Sequence, residues 1–247
     1  MKIIHCSYHK CLTVYYSSVM GKVFGAPSMD GKGYKHFNSL VGDFYNNVTN
    51  LQGASVNNHC LDLERLGDNF KISRFIRDPR DLVVSGYFYH KRGAEQWCNI
   101  NNPTELDYKV VNGAIPPCLN GGAYSEYLSS VSEEDGLIAE IDFRQKHFES
   151  MRHWPEDDLR IRVFKYEDMI GNEWNTFREL FRFYGLNVFQ TALGLFFMDR
   201  YSAKKQQGKR RHIRNVKSKQ WREYFTPKVE EYFNSKYSDV LKRYNYS

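Results

Sequence analysis

Apolar and polar positions along the chain fall into blocks whose period switches between strand-like and helix-like. Lys2–Ser7 is a short apolar run that predicts a first strand, Tyr8–Leu12 a turn, and Thr13 to about Val23 a helix. Gly21, Gly25, Gly31 and Gly33 then punctuate a loop-rich stretch. Ser55–Cys60 predicts a short strand and Leu61–Leu66 a turn of helix. Phe70–Arg77 is nearly continuous in apolar residues, the pattern of a parallel strand covered on both faces. Asp78-Pro79 opens a helix that runs to about Arg92. Asp78 suits the N-cap, and Pro79 fits the first helical position, where its missing N–H costs nothing.

Residues 93–122 break this regularity with Asn-Asn-Pro, Pro-Pro and Gly-Gly, and read as a long irregular insertion. Ser132-Glu-Glu-Asp135 starts another helix, with serine as cap and acids on the positive helix end. Leu159–Phe164 reads as a further strand. Asn172–Tyr184 places Trp174, Phe177, Leu180, Phe181 and Tyr184 at helical spacing, which predicts that Trp174, Phe177 and Phe181 are core. A helix follows around Val188–Met198, and Thr226-Pro227 caps a last one. Strands alternating with helices imply right-handed βαβ units, hence an α/β fold with a three-layer parallel sheet flanked by helices. The expected organisation is a single domain over residues 1–247.

Composition narrows the class. At 247 residues the chain can bury a sizeable core, and its 18 Tyr and 17 Phe exclude a disordered protein. No apolar run approaches the roughly 18–20 residues of a membrane span, and the amino terminus reads as a strand rather than a signal peptide. Five widely spaced cysteines without a C-x-x-C pair indicate neither a zinc site nor a disulfide scaffold. These features predict a cytoplasmic protein with no metal. The net charge of +6 comes from one place: residues 203–222 hold nine Lys or Arg and no acid. Such a segment suits a nucleic-acid arm, a membrane-surface patch or a lid over a polyanionic small molecule.

Two strand-to-helix junctions carry candidate chemistry. After the first strand, Lys10 and Thr13 flank a helix start, where backbone N–H groups and a cation can cradle a phosphate. The glycine-rich pattern G-x-x-x-x-G-K-[ST] is absent, which disfavours a nucleoside-triphosphate hydrolase. The second junction sets Arg77 at the carboxyl edge of a strand and Ser85 two turns into the next helix. Open α/β sheets bind ligands at such edges, and an arginine with a hydroxyl suits a phosphate or sulfate.

Together these segments resemble the cytosolic-type, PAPS-dependent sulfotransferases, with their P-loop-like nucleotide-binding fold. Lys10-Cys-Leu-Thr13-Val-Tyr15 resembles the family's 5′-phosphosulfate loop, usually Pro-Lys-Ser-Gly-Thr-Thr-Trp. Arg77 to Ser85 looks like its 3′-phosphate motif, and Tyr166-Glu167-Asp168 like its Tyr-Glu-Asp segment. Arg214-Asn-Val-Lys-Ser-Lys-Gln-Trp221, followed by Phe225-Thr226, is similar to Arg-Lys-Gly-x-x-Gly-x-Trp and Phe-Thr. Leu12 and Val14 replace the loop's glycine and second threonine. Asn215-Val216 replaces Lys-Gly, and Lys219 the second glycine. A leucine in a position that demands positive φ is strained.

The resemblance implies transfer of a sulfuryl group from 3′-phosphoadenylyl sulfate (PAPS) to a hydroxyl or amine, leaving adenosine 3′,5′-bisphosphate (PAP). It implies that the loop Lys10, Cys11, Leu12, Thr13, Val14 and Tyr15 holds the 5′-phosphosulfate, with Lys10 also stabilising charge on the leaving oxygen. Arg77, Ser85 and Arg214, with Asn215 and Val216, would bind the 3′-phosphate. Tyr15 and Tyr166 would contact adenine, and residues 203–222 would form a basic lid. His59 stands where the family places its general base, and a histidine near its ordinary pKa suits that role. His9 is the rival. Trp97 and Tyr108 either meet the acceptor or pack the insertion. The acceptor would be a small molecule or a glycan. A nucleic-acid-binding protein and a nucleotide kinase-like enzyme are the alternative functions.

Overall fold

Five strands form one wholly parallel sheet: β1 (Lys2–Ser7), β2 (Tyr34–Phe37), β3 (Gly53–Asn57), β4 (Phe70–Ile76) and β5 (Ile161–Lys165). The computed structural model describes residues 1–28, 32–38, 40, 44–202, 205 and 217–246. The strand order is β2-β3-β1-β4-β5. β1 is therefore central, and the chain passes from one side of it to the other between β3 and β4. Parallel sheets bind ligands beyond the carboxyl ends of strands at such a reversal, which is where residues 8–12 lie.

The chain divides into two compact units, Met1–Ile76 with Pro155–Val216, and Arg77–Trp154 with Lys217–Ser247. The first unit holds the sheet. Ile3, Ile4, Val56, Ile72 and Phe75 are buried, as the near-continuous apolar strands require. Helix Thr13–Phe24 packs on β2 and β3, helix Glu173–Tyr184 on β4, and helix Val188–Tyr201 on both of those helices. One polar thread crosses this core. His5 Nδ1 meets Ser73 Oγ at 2.6 Å, Ser73 bonds the Tyr184 hydroxyl, and Tyr184 meets the Tyr16 hydroxyl at 2.8 Å. Burial keeps the His5 imidazole well below its ordinary pKa, with His36 and Arg74 acting in the same direction.

In the second unit, helix Pro79–Lys91 is packed by helices Tyr124–Ser130, Glu133–Phe143, Trp221–Tyr224 and Pro227–Arg243. Its inner face closes over a buried ionic cluster. Glu140 receives the Tyr124 hydroxyl at 2.7 Å, Arg144 Nε at 2.7 Å and lies 2.8 Å from His90 Nδ1. Against the desolvation of full burial, His90 and Arg144 hold the Glu140 carboxyl below its usual range. Only glycine fits at position 86, because a Cβ there would lie 2.0 Å from Glu140 Oε1 and 2.2 Å from Arg144 Nη2.

The caps expected from sequence are present. Asp78 accepts from Arg80 N, Ser132 from Asp135 N and Thr226 from Val229 N. Three features differ from the sequence reading. β2 lies inside the stretch read as loop. The insertion at 93–122 contains three short helical turns, Gln96–Asn99, Glu105–Lys109 and Pro117–Leu119. Trp174 is 52% exposed, because the buried stripe of its helix runs through Thr176, Phe177, Leu180, Phe181 and Tyr184 and leaves Trp174 at its margin. Among the described residues no helix is long and apolar enough to cross a membrane.

Candidate active site

The residues singled out by sequence divide between the two units. In the first unit, β1 ends at Ser7 and the chain turns through Tyr8–Leu12 into helix Thr13–Phe24. Leu12 is the N-cap and takes the left-handed conformation, φ 59° and ψ 18°; Lys10 has φ 77°. An L-residue pays roughly 1–2 kcal/mol there. The loop thus keeps the backbone that a glycine would adopt freely, although the glycine is gone. No side chain caps this helix, so its first-turn N–H groups lack a side-chain acceptor.

Thr13 is buried, with its hydroxyl 2.7 Å from Ser7 Oγ; Ser7 in turn donates to Asn57 Oδ1 at 3.3 Å. While Ser7 donates to Asn57, Thr13 donates to Ser7, and the Thr13 backbone N–H is then its donor toward an anion. Cys11 is fully buried, as a packing residue of the loop rather than an exposed nucleophile. Val14 is 56% exposed. Tyr15 is 6% exposed, its hydroxyl donates to the Met198 carbonyl at 2.9 Å, and its ring meets Phe177. Tyr166 is also buried and starts the short helix Tyr166–Met169 after β5.

Asn58 ties the β1 loop to the β3 loop, a role the sequence did not reveal. Its backbone N–H donates to Ser7 O at 2.8 Å, and its Oδ1 accepts the His9 N–H at 2.6 Å. Asn58 has φ 61°, which asparagine tolerates better than most residues. The only advance signal was an asparagine at a strand end. His59 is the next residue along the chain after this clamp. Burial pushes the His59 pKa down to about 4, not the ordinary value expected from sequence. Its imidazole is neutral at neutral pH, and Nε2 is buried with no hydrogen-bond partner. A neutral ring nitrogen with a free position can accept a proton. His9 is held through its backbone by Asn58.

In the second unit Arg77 is 2% exposed and donates to the Lys217 carbonyl at 3.1 Å. It also lies 3.5 Å from Asp81, one helical turn on. Asp81 is buried and accepts the backbone N–H groups of Lys219 at 2.7 Å and Trp221 at 2.9 Å. Burial raises its pKa, against the pull of Arg77 and these N–H groups. Lys219, which stands where the sulfotransferase pattern has its second glycine, has φ 60°. Arg80 chelates Asp78 through Nε at 3.0 Å and Nη2 at 2.8 Å, and stacks 3.7 Å above the Trp221 ring. These contacts fix the segment 217–221 against the helix that carries Ser85, which is half-buried. Arg214, Asn215 and Val216 lie outside the described residues, as does most of the basic segment.

Trp97 and Tyr108, expected either at the acceptor or inside the insertion, are 8% and 0% exposed. They pack with Tyr124 and Phe143 in one ring cluster. They therefore hold the 93–122 segment to helix Glu133–Phe143.

Comparisons with known proteins bear on the whole arrangement. The model of the sulfotransferase domain matches residues 56–245, most of the chain. No curated protein matches the chain by sequence. Among solved structures, mouse sulfotransferase SULT7A1 complexed with PAP is 16% identical over 97% of this chain and 84% of its own, with a TM-score of 0.55. Retinol dehydratase in complex with androsterone and inactive cofactor PAP is 14% identical over 98% and 80%, with a TM-score of 0.49. At such identity the first likeness is one of fold, and it agrees with the parallel, helix-flanked, P-loop-like sheet. The domain match adds the family: this chain belongs to the sulfotransferases.

Proposed function

We propose that this protein moves a sulfuryl group from PAPS to a hydroxyl or amine on a small molecule or glycan, with His59 as general base. The observation that carries the proposal is the Lys10–Thr13 loop. It follows the central strand at the sheet's reversal point and keeps a glycine-type backbone at Leu12. When bound, PAPS supplies the activated sulfuryl group: a new bond forms from sulfur to the acceptor as the bond from sulfur to the phosphate oxygen breaks. Lys10 and the first-turn N–H groups, including that of Thr13, hold the 5′ end, and Lys10 offsets the charge that grows on the leaving oxygen. His59 Nε2 takes the acceptor's proton. Arg77 and Ser85 bind the 3′-phosphate, with Arg214 as the further cation of the basic segment. Tyr166 is the adenine contact.

The fit rests on this chain's own groups: a buried imidazole nitrogen without a partner, an uncapped helix start after a lysine, and a buried arginine. Positioning and charge stabilisation carry the rate, as in phosphoryl transfer. The family match favours this reading over the kinase-like and nucleic-acid-binding alternatives. Incubation with labelled PAPS and a panel of phenols, alcohols, amines and glycans is expected to release PAP with one acceptor class. Release with none of them, by protein that binds PAP, would reject the proposed acceptor chemistry.

A further inference from the structure

A groove of about 510 Å³ opens in the first unit, away from the Lys10 loop, and cations dominate its lining. Lys71 comes from β4, Arg162 from β5, and Arg178 and Arg182 from successive turns of helix Glu173–Tyr184; Glu179 is its one acid. The sheet register fixes where this groove lies. Lys71 pairs with Ile3 and Arg162 with Ser73, near the amino ends of their strands, whereas Ser7 at the carboxyl end of β1 pairs with Phe75. Four residues of strand, about 13 Å, thus separate the Lys71 level from the end that leads to Lys10.

The cations are unequally committed. Lys71 is held in place, donating to the Phe183 carbonyl and lying 5.1 Å from that ring's centroid. Arg162 pairs with Glu179. Among the described residues Arg178 and Arg182 have neither an acid nor a carbonyl partner, and both are exposed. Like charges one turn apart on a helix repel, so the pair is favoured by an anion set between them. Two planar guanidinium forks beside a fixed ammonium match the several oxygens of a tetrahedral dianion.

We infer that this groove is a second oxyanion site, separate from the donor-binding residues, that takes a phosphate or sulfate group through Arg178, Arg182 and Lys71. The group could come as a free ion or as the end of a monoester. The inference stands apart from the proposed transfer reaction and uses none of its residues. Amide chemical shifts of the folded chain can be followed during titration with inorganic phosphate and, separately, with glucose 6-phosphate. Saturable shifts are expected at residues 178–183 and at Lys71 with at least one of the two, and which one acts identifies the source. Arg178→Ser with Arg182→Ser should weaken this response at least tenfold while leaving any shifts at residues 10–15 and 77–85 unchanged. No response in the groove at millimolar concentrations, or a response that the double substitution leaves intact, would overturn the inference.

Discussion

The Asp81 carboxylate accepts the backbone N–H of Lys219 at 2.7 Å, which anchors a lysine in left-handed conformation to the helix that begins just after Arg77. The same carboxylate holds the Trp221 N–H and faces the Arg77 guanidinium. One buried acid thus holds both the arginine proposed for the 3′-phosphate and the end of the basic segment. Asp81→Ala should destabilise the second unit by about 3 kcal/mol, since it removes the carboxylate facing a buried guanidinium and leaves two N–H groups without their acceptor. Urea unfolding checks this, and PAP affinity should fall with it. A change below about 1 kcal/mol would mean that the carboxylate contributes little.

Leu12 and Lys219 both occupy positions where the sulfotransferase motifs carry glycine, with φ of 59° and 60°. Restoring glycine removes roughly 1–2 kcal/mol of strain but adds unfolded-chain entropy of similar size. Lys219→Gly, at an exposed position, should therefore change stability by no more than about 0.5 kcal/mol. Lys219→Val, branched at Cβ, should cost more than about 1 kcal/mol. Equal melting temperatures for the two variants would contradict a left-handed residue 219.

Gly86→Ala is a harsher test of packing. Its methyl group would press on Glu140 Oε1 and Arg144 Nη2 inside a fully buried ionic cluster, where neither partner can retreat to water. We expect a loss of about 3 kcal/mol or more in denaturant unfolding. A variant as stable as the parent would show that the cluster is not packed against this helix.

Acid should weaken the first unit. His5, His36 and His59 all have folded pKa values below the 6.5 of an exposed histidine, chiefly through burial. Between 6.5 and those lower values the unfolded chain binds more protons, so stability is lost as pH falls through that window. In the second unit Glu140, whose pKa is lowered, adds loss in the same direction at lower pH. The melting temperature should hold steady from pH 8 to 7 and drop between pH 6.5 and 4.5, less so in His59→Gln. For catalysis, the acid limb of kcat/KM should lie near His59's value of about 4 rather than near 6.5. A melting temperature that rises from pH 7 to 5 would contradict the buried neutral imidazoles.

Local signals made much of this molecule legible. Asp78-Pro79 announced its helix because cap and first-turn chemistry lie within four residues, and Phe70–Ile76 announced a covered strand by its apolar run. β2 escaped because four residues, half of them polar, carry no period; its pairing with β3, Tyr34 to Gly53, makes it a strand. Asn58 escaped because its bonds reach Ser7 and His9, far back in the chain. The sequence suggested the place of His59, but its pKa comes from burial that only folding creates. The packing of Tyr15 was not legible, because an aromatic at a motif position and an aromatic at a core position look alike. Its bond to Met198 depends on a helix from the other end of the unit.

The proposed transfer requires that this protein bind the nucleotide product PAP, with Lys10 and Arg77 each contributing. Calorimetric titration with PAP tests it most directly, on the parent and on Lys10→Ala, Arg77→Ala and His59→Ala. A single site is expected in the parent, with at least tenfold weaker binding in each of the first two variants and unchanged binding in His59→Ala. Absence of PAP binding at near-millimolar concentration, or binding indifferent to both Lys10 and Arg77, would contradict it.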